Sequence, residues 1–332
     1  FMNLVDYDAM TFGNHEFDKN SEVLAAFIEE AQFPFVSSNL DFSNDAILGN
    51  LVETVNSGDA ESGKIYPVMI KTIAGEKVGI IGLTTEDTPT IASPGDVQFL
   101  DAIESAKKAV AALTDLGVNK VIALSHLGYE ADLVLAEQVD GIDIIVGGHS
   151  HTKLDKPVVN RSDENAPKLI VQTGEKGQFL GKLDVRFNED GVLTKWNGKL
   201  ISVDEKDADG NYVIPNHEEA LKMLNEDYKP GIEALMSEVI GYSEIELNGV
   251  RADVRTKETN LGNLIADGML HAAKKIDPTV VMALQNGGGI RDSINEGDVT
   301  LGEVLTVLPF NNDLVTVKMT GAEIISALEN GV

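Results

Sequence analysis

Three short blocks of continuous apolar residues are the feature that most limits the folds open to this chain. They span residues 78–83, 121–124 and 142–146, and uninterrupted apolar runs of this length are typical of strands covered on both faces. Stretches with a helical spacing of apolar residues, such as 20–31 and 102–116, alternate with them. This alternation predicts an α/β layered domain built on a mostly buried sheet.

The rest of the chain predicts a second domain. The chain has 332 residues, which is room for two domains of roughly 100–200 residues each. A polar segment at 204–211 precedes a helical pattern at 216–238. Pro230 and Gly231 interrupt that pattern, since proline and glycine both disfavour the interior of a helix. We expect a first domain at 1–205, a linker helix region at 206–238 and a second α/β domain at 239–332.

Charge and composition exclude several classes of function. The formal net charge is −28, and such a surface repels phosphate backbones, so nucleic-acid polymers are poor candidates as partners. A small anionic substrate is compatible with this charge if metal ions and a few arginines outweigh it locally. The chain contains no cysteine, which excludes disulfides, thiolate catalysis and cysteine-based zinc sites. No apolar run approaches the ~18–20 residues of a membrane span.

Three predicted strands, at 9–12, 121–124 and 142–146, are each followed by a loop that carries histidine. These loops contain Asn14, His15, His126, His149 and His151. Open α/β sheets gather their ligands beyond the carboxyl ends of strands, and residues two apart in an extended segment project to the same side, so His149 and His151 can converge on one site. One such histidine alone would be interpreted as a hydrogen-bonded loop residue, but three loops favour a metal site. Neutral imidazole suits Zn, Mn, Fe or Ni, and an asparagine oxygen suits the harder of these ions.

Two interpretations of Asp18 are open from the residues alone. Asp18 lies three residues after His15, so in a helical turn its carboxylate can contact the imidazole and orient it. The alternative, which local spacing favours, is that Asp18 caps the helix that begins near residue 20.

A second group of candidate residues lies in the C-terminal part. Gly287, Gly288 and Gly289 follow an apolar run at 280–284 that is predicted to be a strand. Backbone amides in such a turn can face a ligand, and Arg291 can bind phosphate bidentately. Arg251 and Arg255 add cations, although they could equally form a solvated face. Phe310 could serve as an aromatic platform or as plain core.

Six stretches of the chain carry a resemblance to a known family. They are GNHEFD, SHLG, GGHSHT, TNLGNLIADGML, NGGGIRDSI and LPFNNDL. Together and in this order they resemble the bacterial 5′-nucleotidase and UDP-sugar hydrolase family, whose N-terminal domain is a calcineurin-like metallophosphoesterase. The resemblance implies a layered metallophosphoesterase sandwich followed by a second, partial α/β substrate-binding domain.

The resemblance also implies roles for individual residues. Asn14, His126 and His149 would bind one divalent metal ion, and His151 would bind another. His15 would be the catalytic histidine that stabilises the phosphoryl transition state, with Asp18 as its partner. The implied substrate-binding residues are Arg251, Arg255 and Arg291 for phosphate, and Asn286, Phe310 and Asn312 for the nucleoside.

The chain departs from the family pattern before its first motif. In the family, an Asp-x-His and a Gly-Asp ligand pair precede the GNHEFD stretch, and neither precedes it here. We therefore expect a chain truncated at both ends that binds at most one metal ion and has negligible activity by itself. We expect the intact protein to bind two divalent ions, such as Zn or Mn, to carry a signal peptide, and to be extracellular, on the cell surface or periplasmic.

The function that the resemblance implies is hydrolysis of nucleotide phosphate esters, most directly of nucleoside 5′-monophosphates to nucleoside and phosphate. One alternative is a 2′,3′-cyclic-nucleotide 2′-phosphodiesterase with 3′-nucleotidase activity. Another is a non-catalytic nucleotide-binding surface module, which the missing ligands keep open.

Overall fold

The computed structural model describes residues 1–54, 60–310 and 312–331 of the chain. It divides into two compact units, Phe1–Asn216 and His217–Val332. The domain limits expected from the sequence, at residues 205 and 238, stay a prediction. None of the described helices is both long and apolar enough to cross a membrane.

In both units the described residues form α-helices and β-strands, which alternate through most of the first unit. The α-helices are α1 (Met2–Val5), α2 (Ser21–Glu30), α3 (Thr88–Ile91), α4 (Ala102–Asp115), α5 (Tyr129–Gln138), α6 (Glu218–Met223), α7 (Lys229–Met236), α8 (Arg251–Val254), α9 (Asn260–Ile276), α10 (Leu301–Val307) and α11 (Gly321–Asn330). The strands are β1 (Phe35–Val36), β2 (Leu40–Asp41), β3 (Ile65–Tyr66), β4 (Met69–Ile73), β5 (Glu76–Thr84), β6 (Gln98–Phe99), β7 (Val121–His126), β8 (Ile144–Val146), β9 (Val158–Asn160), β10 (Lys168–Val171), β11 (Phe179–Phe187), β12 (Leu193–Ser202), β13 (Val239–Ser243) and β14 (Gly297–Thr300).

A six-stranded sheet is the centre of the first unit in the part of the chain that the structure describes. Its strand order is β4-β5-β7-β8-β10-β9. The strands β5, β7, β8 and β10 run parallel, whereas β4 and β9 pair antiparallel with β5 and β10 on the two sides. The four parallel strands therefore present their carboxyl ends at one edge, where open α/β sheets bind ligands. The register pairs Thr84 with His126 and Leu124 with Val146.

Helix α4 forms where the sequence predicted it and covers this sheet. Its buried residues recur three or four positions apart, as in Ala102, Ala106, Ala109 and Leu113, so one face of the helix is apolar throughout. That face joins the core cluster that contains Ile81 of β5. The predicted helix at 20–31 is also confirmed as α2, which the side chain of Asn20 caps by accepting a hydrogen bond from Val23 N at 3.1 Å.

Two apolar runs do not form the strands that the sequence predicted. In the run 9–12, Met10 makes only an isolated parallel bridge with Phe35. The run 280–284 is not a strand, and Val281 and Leu284 are 81% and 52% exposed. An apolar run becomes a strand only where a neighbouring strand satisfies its backbone, and none of the described residues pairs with this run.

The second unit contains helices α6 to α11 and the antiparallel pair of β13 and β14. The helical segment expected at 216–238 is interrupted, but by a π-helical turn at Leu224–Tyr228. Pro230 lies in the first turn of α7, where its missing N–H leaves no helical hydrogen bond unmade. The core of this unit is small and is formed by Leu261, Ile290, Ile294 and Val307.

Candidate active site

The carboxyl edge of the parallel strands positions the histidine loops of the first unit. Strand β7 ends at His126, and the loop that carries His149 follows β8. Asn14 begins a short 3₁₀ helix, Asn14–Phe17, beside the buried Phe12. A Cβ at Gly13 would collide with the ring of His126. Glycine at this position is therefore what lets the Asn14 turn approach the His126 loop so closely.

Three side chains from these loops converge on one point. The Asn14 Oδ1 atom lies 3.0 Å from His126 Nε2 and 3.1 Å from His149 Nδ1. The centroids of the two imidazole rings are 5.1 Å apart. Asn14 is 112 residues from His126 and 135 from His149 in sequence, so the fold, and not local spacing, makes this cluster.

The cluster fits a divalent metal ion by the spacing of its donor atoms. Two ligands that each lie about 2.0–2.1 Å from a metal ion, with an angle near 90–109° between them, are separated by about 2.8–3.4 Å. The two distances from Asn14 Oδ1, 3.0 and 3.1 Å, fall in this range. One amide oxygen and two imidazoles are also a donor set that borderline metal ions accept. In residues 1–54, 60–310 and 312–331, no three histidine or acidic side chains are grouped so that they could hold a metal ion by themselves.

The protonation state of His126 suits a ligand. Burial lowers the pKa of His126 to about 4, with smaller contributions in the same direction from the imidazoles of His149, His15 and His151. A buried imidazole resists protonation because the cation loses its hydration. His126 is therefore neutral near pH 7, which is the form that can donate a lone pair.

The backbone of the His149 loop differs from the sequence-based expectation. His149 and His151 have φ angles of 66° and 58°, which lie in the left-handed region and not in an extended segment. The argument that the two side chains project to one side of an extended strand is therefore wrong. His149 contacts Asn14, whereas His151 Nδ1 contacts Glu175 Oε2.

Glu175 is a site residue that the sequence reasoning missed. A carboxylate on one nitrogen of a ligating histidine fixes its tautomer and its ring orientation. The pair of His151 and Glu175 has this form. His151 is close enough to His126 to contribute to the lowering of the pKa of His126.

The interpretation of Asp18 as a helix cap is also wrong. Helix α2 is capped by Asn20, and Asp18 Oδ2 lies 2.8 Å from His15 Nδ1. The side chains of His15 and Asp18 are 42% and 30% exposed, so solvent and ligands can reach the pair. This arrangement is that of an imidazole oriented by a carboxylate.

In the second unit, the structure brings two of the three arginines together at the glycine turn Gly287–Gly289. Arg291 Nη1 donates to Gly288 O at 3.3 Å, and a Cβ at Gly288 would meet Arg255 Nη2 at 3.3 Å. Burial and the charge of Arg291 lower the pKa of Arg255. Two guanidinium groups so close together repel each other, and an anion between them would relieve this repulsion.

The remaining candidates of this unit lie at varying distances from the glycine turn. The Arg291 guanidinium lies 5.6 Å from the centroid of the Phe310 ring, which is a cation–π distance. Asn286 directly precedes the turn and its Oδ1 accepts from Gln285 Nε2 at 3.2 Å. Arg251 begins the short helix α8, which ends beside Arg255. Asn312 is exposed, and its neighbour Asn311 lies outside the described residues.

Comparison with known proteins identifies the families of two parts of the chain. Residues 1–153 match the calcineurin-like phosphoesterase family, and residues 239–332 match the 5′-nucleotidase C-terminal domain family. The chain combines these two domains. Calcineurin-like phosphoesterases use divalent metal ions, which agrees with the donor spacing around Asn14.

Individual relatives are similar to this protein over nearly its whole chain. The trifunctional nucleotide phosphoesterase protein YfkN of Bacillus subtilis is 44% identical over 100% of this chain and 23% of its own length. The snake venom 5′-nucleotidase of Crotalus adamanteus is 35% identical over 100% of this chain and 57% of its own length. The solved 5′-nucleotidase precursor of Thermus thermophilus superposes with a TM-score of 0.87 at 42% identity, over 99% of this chain and 63% of that one.

In the first unit, further polar residues support the histidine loops. Gln172 follows β10 directly and is 2% exposed, and Asp132 of α5 is fully buried. Burial raises the pKa of Asp132 to about 7, against the hydrogen bond from Ser125, which lowers it. Neither residue belongs to a motif. The one sequence signal that could have identified Gln172 is its place at the carboxyl end of an apolar run, where ligand loops begin.

Proposed function

We propose that the whole protein is a metal-dependent phosphoesterase that hydrolyses nucleoside 5′-monophosphates to nucleoside and phosphate. The observation that carries the proposal is the convergence of Asn14, His126 and His149 within 3.1 Å of one oxygen. The families of the two domains and the names of the relatives support it. The chain spans 23% of YfkN and 57% of the venom enzyme, so the activity is assigned to the whole protein and not to this stretch.

The residues of the first unit divide into metal ligands and a proton carrier. Asn14, His126 and His149 would hold one divalent ion, and His151 would be a ligand of a second, with Zn or Mn as the fitting metals. The chemistry that such ions supply when bound is polarisation of a phosphoryl oxygen and a lowered pKa of water. Asp18 holds the Nδ1 side of the His15 ring, so the proton that His15 transfers to the departing nucleoside oxygen is the one on Nε2.

The residues of the second unit recognise the nucleotide. Arg255 and Arg291 bind phosphate oxygens, and Arg251 adds a third cation near the same turn. Phe310 offers a ring face for stacking, although Arg291 already lies against it. Asn286 and Asn312 supply amide groups that can hydrogen-bond the base or the ribose.

The experiment is a phosphate-release assay on the full-length protein. We expect hydrolysis of a nucleoside 5′-monophosphate that is abolished by EDTA and restored by added Mn²⁺ or Zn²⁺. His126→Ala should abolish it, whereas His271→Ala, an exposed histidine on α9, is the matched control and should leave it unchanged. Hydrolysis that survives both EDTA and His126→Ala would contradict the proposal.

The same assay should include a 2′,3′-cyclic nucleotide and a 3′-monophosphate. The name of YfkN states that it is trifunctional. A function on several kinds of nucleotide ester is therefore the second candidate for this protein. Turnover of these esters at a higher kcat/KM than the 5′-monophosphate would favour the cyclic phosphodiesterase function. Nucleotide binding without any turnover in the metal-loaded protein would favour the non-catalytic binding module.

We also propose that the protein acts outside the cytoplasm, where it would recover nucleosides from extracellular nucleotides. The venom origin of a relative supports this location. Fractionation of cells that express the full-length gene tests it, and recovery of the protein only in the cytoplasm would contradict it.

A further inference from the structure

We propose that Gln172 is a positioning residue that holds the loop of His149 and His151 in its metal-binding conformation. The proposal rests on the metal site of the proposed function. It concerns how the chain makes that site, because Gln172 contacts the residues beside both histidines.

The loop that carries these histidines has an unusual backbone. His149 and His151 both have positive φ angles, 66° and 58°, separated by a single residue, Ser150. Residues other than glycine adopt this region rarely, and they remain in it only where the surrounding structure imposes it. Some contact in the structure must therefore impose it on two histidines in a row of three residues.

Gln172 supplies that contact. Its Oε1 atom accepts a hydrogen bond from Thr152 N at 2.5 Å and another from Ser150 Oγ at 3.2 Å. Ser150 and Thr152 are the two neighbours of His151 in the chain. One buried amide oxygen therefore fixes the loop on both sides of His151 and directly after His149.

The space beneath the loop leaves no room for a side chain at position 147. A Cβ at Gly147 would collide with Gln172 Nε2 and with Asp132 Oδ2. Asp132 in turn accepts from Ser125 Oγ at 2.5 Å, and Ser125 Oγ accepts from Leu127 N at 3.2 Å. Gln172 thus holds the loop after β8 while Asp132 holds the loop after β7, and Gly147 passes between them.

The hydrogen-bonding role of Gln172 can be tested separately from its contribution to packing, because the size and the polarity of the side chain can be changed independently. Methionine has nearly the same shape as glutamine and lacks the amide oxygen, so Gln172→Met keeps the core filled. Gln172→Glu keeps an acceptor oxygen for Thr152 N. Ile170, two residues earlier on the same strand and fully buried, provides the matched control, since Ile170→Ala damages the core without touching the loop.

The test is a Co²⁺ titration of the full-length protein, followed by calorimetry and by the visible d–d spectrum of the bound ion. We expect Gln172→Met to bind Co²⁺ about 10- to 100-fold more weakly than the parent, which is the range for loss of an outer-shell partner, with an altered spectrum. Gln172→Glu should bind more tightly than Gln172→Met. Ile170→Ala should lower the Tm and leave the affinity and the spectrum unchanged.

The outcomes separate this role from the proposed function. A parent that binds no Co²⁺ would overturn the metal site and the role of Gln172 together. A parent that binds Co²⁺ with Gln172→Met equal to it in affinity and spectrum would overturn the role of Gln172 alone. If Gln172→Met does not fold, Ser150→Ala removes one of the two donors to Oε1, and an affinity and spectrum unchanged in Ser150→Ala would overturn the role.

Discussion

Asp132 should make the stability of the first unit depend on pH, and Asp132→Asn should remove that dependence. Asp132 is fully buried, and burial raises its pKa from 3.8 to about 7, although the hydrogen bond from Ser125 opposes the shift. The carboxyl group is therefore protonated in the folded chain at a pH where it is ionised in the unfolded chain.

The sign and size of the effect follow from proton linkage. Between pH 3.8 and about 7 the folded chain binds more protons at Asp132 than the unfolded chain does, so the free energy of unfolding falls as the pH rises. The contribution is fully present below 3.8 and is lost as the pH passes about 7. A shift of about 3 pKa units at about 1.4 kcal/mol each gives a loss on the order of 4 kcal/mol.

Urea unfolding followed by tryptophan fluorescence measures this contribution in the unit concerned. Trp196 is the one tryptophan of the 332-residue chain, and it lies on β12 against the core cluster of Ile144 and Leu169. Its fluorescence therefore reports on unfolding of the first unit. We expect Asp132→Asn to gain stability relative to the parent by up to about 4 kcal/mol between pH 4 and pH 8.

The difference between variant and parent is the quantity to use, because His126 produces the opposite slope. Its pKa is lowered from 6.5 to about 4, so its contribution to stability is lost as the pH falls through this range. This effect is common to both proteins and cancels. Glu137→Gln, at an exposed carboxylate of the same helix α5, is the control and should show no such change. A difference between Asp132→Asn and the parent that stays constant from pH 4 to pH 8 would refute the reasoning.

Two further predictions concern the proposed function in the full-length protein. His15→Ala should lower kcat by at least about 100-fold while KM changes little, because a proton carrier acts in the transition state; near-normal kcat with a raised KM in steady-state assays would reject its catalytic role. Arg255→Ala and Arg291→Ala should each raise KM for a nucleotide by about 10-fold or more, as expected for loss of a charge-assisted hydrogen bond, with the metal content by elemental analysis unchanged; an unchanged KM in both would reject phosphate binding at the glycine turn.

The parts of the fold that the sequence predicted well are those set by one-dimensional periodicity. The helix expected at 102–116 is Ala102–Asp115, and the strand expected at 121–124 is Val121–His126, because the spacing of apolar residues directly reports which face is buried. The runs 9–12 and 280–284 failed for a related reason. An apolar run indicates burial or a tendency towards it, but a strand also needs a partner, and the partner is not encoded in the run itself.

The candidate site likewise has features that the sequence predicted and features that it did not. The motifs correctly indicated that Asn14, His126 and His149 would meet, since each follows a strand or turn at one edge of the sheet. The backbone of His149 and His151 could not be predicted, because histidine has no preference for positive φ strong enough to leave a signal in the sequence. Their conformation is imposed by Gln172 and its neighbours.

Residues that position a binding site are therefore harder to identify from a sequence than the residues that bind the ligand. Ligands must present a particular chemistry, so their residue types recur in a short pattern that is recognisable even in one chain. A supporting residue such as Gln172 needs only an acceptor atom at the correct place, and it reaches Thr152 and Ser150 across 20 and 22 residues of chain. The same holds for Glu175, which pairs with His151 across the loop after β10. Both follow the end of the parallel strand β10, at the edge where open α/β sheets bind ligands, so polar residues there are candidates for groups that orient the ligands.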